Sequence, residues 1–139
     1  MKFEVILARD SRRAKRNSIL NANDSGGGKS HMALKKRLRT IGKALAMEQI
    51  KGVVFSEENP CTVTMTVSND SKRKFDPDNL QPTLKSLMDG FTDGGLWTDD
   101  NCYVVKQTAY RFGGHGAPKG YYKLEIEVEP IWGSSKKSI

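Results

Sequence analysis

The chain has 139 residues, a formal net charge of +7 and only two cysteines, Cys61 and Cys102. That length suits one domain with a core of its own, and two distant cysteines exclude a disulfide framework or a cysteine-based zinc site, so free thiols are expected. No apolar run is long enough to span a membrane and no secretory apolar core opens the chain, so the expectation is a soluble, cytoplasmic protein with no membrane partner. The charge is uneven: residues 9–51 hold twelve Lys and Arg against three Asp and Glu, whereas everything after them sums to −2. A basic block of this kind suits a polyanion, and the plainer alternative is a solvated helix face.

Residues 2–8 alternate, with Phe3, Val5 and Leu7 on one side, and predict a first strand. Residues 9–30 are rich in Arg, Asn and Gly and read as a long basic loop, a length usual for functional or disordered segments. Leu34, Leu38, Ile41 and Leu45 then make one stripe of an amphipathic helix between His31 and Ile50. Cys61, Val63, Met65 and Val67 alternate with Thr62, Thr64, Thr66 and Ser68, the cleanest strand pattern in the chain. Strands are also expected over 103–112 and 121–129, with the glycine-rich 113–120 segment as a hairpin connection between them. Residues from about 133 to the end read as a short polar tail. The order strand, helix, strand, helix, strand, strand predicts a single α+β domain over 1–139, a mixed or antiparallel sheet of about four strands with two main helices packed on it.

Acidic residues gather between 76 and 100 in this otherwise basic protein. Asp76 precedes Pro77, which favours extended backbone, and residues i and i+2 of an extended segment project the same way, so Asp76 and Asp78 are expected to point together. Asp78-Asn79-Leu80-Gln81 has the form of a capping box, with Leu80, Leu84, Leu87 and Phe91 as the stripe of a second helix; Pro82 as first helical residue is the alternative start. Lys85 and Asp89 share one face of that helix under either start. Gly90, Asp93, Gly94 and Gly95 are expected to end it, and of the adjacent Asp99 and Asp100 only one is expected to join Asp76 and Asp78.

Three carboxylates without His or Cys match a hard cation, Mg²⁺ with Mn²⁺ as a substitute, and a cationic protein around such an ion suits phosphodiester hydrolysis. Lys85 would steady phosphate charge or hold a carboxylate. The competing reading makes these aspartates caps and turn formers, and it is preferred for Asp93. An EF-hand fails because Leu80, Gln81 and Leu87 stand where ligands and the glycine should be. Arg12, Arg13, Lys15, Arg16, Lys29, Lys72, Arg73 and Lys74 are the candidate phosphate contacts. Gly26-Gly27-Gly28-Lys29-Ser30 lacks the first glycine of a phosphate-binding loop and reads as a linker; His115 reads as a turn residue, and Trp97 and Trp132 as core.

The run Asp76-Pro77-Asp78-Asn79, with Lys85, Asp89-Gly90, Gly95-Leu96-Trp97 and Asp99-Asp100, resembles the signature of the RusA family of Holliday junction resolvases, strongly over about residues 72–100. The resemblance implies a homodimeric, Mg²⁺-dependent endonuclease that cuts four-way DNA junctions and is often carried by phages or prophages. It implies Asp76, Asp78 and Asp100 as metal-binding catalytic acids and Lys85 as catalytic lysine, with Asp89, Asp99 and Asn79 beside them. Two features depart from the family pattern. Pro82 stands where the lysine is expected, and the N-terminal loop lacks the expected proline-rich, tyrosine-bearing stretch. A two-fold dimer would supply the two symmetric nicks that resolution needs. The alternatives are a junction-binding architectural protein without cleavage, and a nuclease for RNA or other branched DNA.

Overall fold

The structure, a computed structural model, describes residues 1–9, 17–22 and 29–131, with side chains in the first helix from position 31 onward. Four strands, β1 (Lys2–Ala8), β2 (Cys61–Ser68), β3 (Val105–Gly114) and β4 (Tyr121–Pro130), form one mixed sheet in the order β1-β4-β2-β3. Two helices, α1 (Lys29–Gln49) and α2 (Gln81–Asp93), lie on it, so the α+β architecture expected from the sequence is what the chain adopts. Strand β4 runs antiparallel to both neighbours, β1 and β2, while β2 and β3 are parallel. Strands β1, β2 and β3 therefore share one direction, and both helices return along the same face.

Alternation decides which side of each strand is buried. Phe3 and Leu7 of β1, Cys61, Val63, Met65 and Val67 of β2, and Leu124, Ile126 and Val128 of β4 are buried beneath the helices. The other face carries Thr62, Thr64 and Thr66 opposite Glu129, Glu127 and Glu125. Glu4 and Glu125 sit directly across from each other there, and Lys2 offsets that repulsion with an ion pair to Glu125 at 2.6 Å. Cys61 is fully buried, which pushes its thiol up to about 12, and Cys102 is exposed.

The hairpin expectation for β3 and β4 is overturned. A strand that leaves through α2 and returns parallel comes back beside β2, so β3 takes one side of β2 and β4 takes the other. The glycine-rich link instead arches over the end of β2. Asn69 fastens it with its N–H on the Gly114 carbonyl (3.0 Å) and its carbonyl on the Ala117 N–H (3.0 Å), and the Asp70 carboxylate accepts from the Gly120 N–H at 2.5 Å. His115 belongs to this turn, its Nδ1 lying 2.6 Å from Asn69 Oδ1.

The loop expected over residues 9–30 is also only part of the story. Its described stretch, 17–22, docks on the core: Ile19 and Leu20 are buried, and the Thr83 hydroxyl both donates to the Leu20 carbonyl (2.6 Å) and accepts from the Leu20 N–H (2.8 Å). Trp97 is core, as expected, with its indole N–H on Thr92 Oγ1 at 2.6 Å, and Phe3 stacks on Phe91 with ring centres 4.7 Å apart. Trp132 and the polar tail lie outside the described residues.

Glycines set the helix spacing. A methyl group on Gly42 would overlap the Leu87 carbonyl, one on Gly90 would overlap the Arg39 carbonyl, and one on Gly94 would lie 2.8 Å from Ala46 Cβ. Gly90 is thus inside α2 and faces α1, rather than ending the helix as the sequence suggested. The end comes at Gly95, whose positive φ of 85° allows the Gly95 N–H to reach the Thr92 carbonyl (3.1 Å) and the Leu96 N–H to reach the Phe91 carbonyl (3.0 Å). Gly90→Ala should therefore cost about 2 kcal/mol or more by overpacking, whereas Gly116→Ala, which meets open space, should stay within about 0.5 kcal/mol of wild type in urea unfolding.

Candidate active site

The segment carrying the first two acids is held from below by an aromatic ring. Phe75 stacks on Tyr122 (5.4 Å, 17° between planes) and meets Phe112 edge-on (5.4 Å, 82°), which leaves Lys74 and Asp76 on the outer side. Asp76 is extended, with φ −95° and ψ 116°, as the following proline requires. Pro77–Leu80 then coil into a 3₁₀ turn closed by the Asn79 N–H on the Asp76 carbonyl at 3.0 Å. The alternation expected to align Asp76 with Asp78 stops at Pro77, because Asp78 lies in a turn of three residues rather than in extended chain. The expected capping box does not form: α2 begins at Gln81 with Pro82 in its first turn and no side-chain cap. Asn79 contributes through its backbone, its carbonyl accepting from the Ala22 N–H at 2.7 Å and so tying the 17–22 segment to this turn.

Lys85 is the hub. Its ammonium lies 2.6 Å from Asp100 and 3.2 Å from Asp89, the latter the i, i+4 pair read from the sequence. The hydrogen bond to Asp100 is the largest influence raising the Lys85 pKa, partly opposed by burial and reinforced by Asp89, so Lys85 is cationic at neutral pH. Asp99 and Asp100 divide their labour. The Asp99 carboxylate accepts from the Asp100 N–H (2.8 Å) and from the Asn101 side chain (3.1 Å), shaping the turn into β3, and Asp100 faces Lys85. Asp93, read from the sequence as structural, is held by Arg39 through contacts of 2.5 and 2.8 Å, and that hydrogen bond lowers its pKa.

A residue the sequence reading missed joins the two acidic segments. Asp100 and Lys85 line a depression of about 290 Å³ with Thr108 and Tyr110 of β3. Burial first, and then the negative charge of Asp78, raise the Tyr110 phenol. Asp78 thus approaches Tyr110 from the 3₁₀ turn, and Asp100, in the turn before β3, lines the same depression as Tyr110. The strand register signals this position, since Tyr110 pairs with Met65 and so faces the helices at the sheet's edge.

Among the described residues, no group of three or more His, Cys, Asp or Glu side chains is placed to hold a metal ion. Asp76, Asp78 and Asp100 therefore do not form a ready three-carboxylate cluster as they stand. Their chemistry nonetheless fits Mg²⁺, which commonly keeps several waters and takes one or two carboxylates together with substrate phosphates. Asp76 and Asp78 are exposed and make no side-chain hydrogen bond or ion pair among the described residues, so both are free to turn. Lys72, Arg73 and Lys74 are exposed beside them. Arg12, Arg13, Lys15, Arg16 and the Lys29 side chain lie outside the described residues.

The chain matches no protein-family model, and a comparison with curated proteins gives no match. No described helix is long and apolar enough to cross a membrane. The site's geometry makes its own prediction. Asp78→Asn should lower the Tyr110 pKa, yet leave it above the ordinary 10.0 because burial is the larger cause, as read by ¹³C NMR of labelled tyrosine against pH. An unchanged Tyr110 titration would place Asp78 away from the depression.

Proposed function

We propose that this chain is a Mg²⁺-dependent endodeoxyribonuclease that acts on branched DNA, a Holliday junction resolvase of the kind its 72–100 segment resembles, working as a homodimer. The reading rests on the meeting of Lys85, Asp100 and Tyr110 in one open depression, with Asp78 near enough to raise the Tyr110 phenol, on a chain of net charge +7. Asp78 and Asp100, with Asp76 free to join them, would hold the cation, which when bound would activate water and offset charge on the scissile phosphate. Lys85 keeps its proton, so it can hold Asp100 in position and present positive charge to phosphate oxygens as they become more negative. The exposed Lys72–Lys74 run and the cations of α1 supply attraction to the backbone, with the salt dependence that follows from it.

One observation favours a second reading. The tight Lys85–Asp100 pair, together with the lack of a three-acid group among the described residues, also suits a junction-binding protein whose acids only tie the 98–101 turn to α2.

Incubating the protein with synthetic four-way junctions, forks, linear duplex and RNA, with Mg²⁺ or EDTA, separates the readings. The nuclease predicts paired nicks in junctions that need Mg²⁺, and junction binding without cleavage in any divalent metal would leave the architectural protein. Asp76→Asn and Asp78→Asn should each lower cleavage by about 100-fold or more while keeping or tightening binding, because a negative charge near phosphate is removed. Lys85→Ala should cost a similar factor. Full cleavage by both aspartate variants would remove those residues from the chemistry.

A further inference from the structure

We propose that a groove adjoining the candidate active site binds the backbone phosphate next to the one attacked, through Lys35 and His31 of α1, an inference that rests on the nuclease reading. The groove has a volume of about 390 Å³ and shares Gln81 and Lys85 with the 290 Å³ depression that holds Asp100 and Tyr110. The two therefore adjoin across Gln81 and Lys85, and a strand whose phosphate lies at Lys85 would run around the start of α2 towards α1.

Charge gives this path its direction. His31 and Lys35 are one helical turn apart on the same face, and both line the groove. Neither has a hydrogen-bonding or ion-pair partner among the described residues. Arg39, the next cation along that face, is already committed to Asp93. Asp89 is the one acid among the described lining residues, and Lys85 lies 3.2 Å from it. Among the described residues, Lys35 thus keeps a positive charge without an ion-pair partner at one end, while the other end carries Asp100.

The groove is also built in. Its outer wall includes Asn21, in the segment pinned by both hydrogen bonds between Thr83 and Leu20 and by the Asn79–Ala22 bond at 2.7 Å. An open, fixed channel with a cationic end and hydrogen-bonding side chains suits a linear polyanion that passes through.

The test uses the full chain carrying Asp78→Asn, so that binding is read without cleavage. Fluorescence anisotropy of a labelled four-way junction is followed against salt for this parent, for added Lys35→Gln, for added His31→Gln with Lys35→Gln, and for added Lys51→Gln, which removes equal charge at the far end of α1. Lys35→Gln should weaken binding about five- to tenfold and flatten the slope of log K against log salt by about one, well beyond Lys51→Gln. A scan of single neutral methylphosphonates should find one position that weakens the parent and no longer weakens the double variant. Equal effects of Lys35→Gln and Lys51→Gln, or a methylphosphonate penalty that persists in the double variant, would overturn the phosphate site alone. Failure of the parent to bind any junction would overturn the nuclease reading beneath it.

Discussion

The close crossing of α1 and α2 is the constraint on which the rest of the molecule depends. Gly42, Gly90 and Gly94 let the two helix backbones touch, and side chains at these positions would force the helices apart. Because the helices run the same way on one face of the sheet, this contact fixes the register of their first turns. His31 and Lys35 consequently lie across a groove from Gln81, Lys85 and Asp89. The same contact sets α2 above β2 and β3, which brings Lys85 within reach of Asp100 and Tyr110.

Electrostatics gives that arrangement its chemical character. Elsewhere several acids are paired locally: Asp93 with Arg39, and Glu125 with Lys2, with Lys123 3.9 Å from both Glu4 and Glu125. Around Tyr110, Lys85 serves Asp89 and Asp100, as Lys123 serves Glu4 and Glu125, while the exposed Asp76 and Asp78 stand outside any ion pair among the described residues. Exposed acids in a strongly cationic chain have a natural use where a small cation and a phosphate backbone are brought together.

Much of the fold was legible because burial and period coincide. Cys61 to Val67 alternate as a strand must, and the 34–45 stripe fits a helix lying on a sheet. Within the candidate site, the Lys85–Asp89 pair also followed from helical spacing. What failed was non-local. The glycines after β3 look like a hairpin turn, and only the α2 crossover reveals that β2 separates β3 from β4. Ile19 and Leu20 were lost in a polar stretch, although two adjacent apolar residues there signalled docking. Gly90 read as a helix terminator because its partner Gly42 is distant in sequence, whereas Gly94 does cap the helix. Tyr110 enters the site through strand register, which no local pattern displays, and Pro77 ended the alternation that was expected to align Asp76 with Asp78.

On the proposed reading, the depression between α2 and β3 is a divalent-cation site beside a cationic groove. Paramagnetic broadening of backbone amide signals by trace Mn²⁺ tests it without relying on DNA or turnover. A cation bound there should cause selective loss of signals from residues 76, 78–80, 99–101 and 109–111, reversed by excess Mg²⁺ and abolished by combining Asp78→Asn with Asp100→Asn. Broadening confined to the glutamate-bearing face of β1 and β4, or unchanged in that double variant, would contradict it.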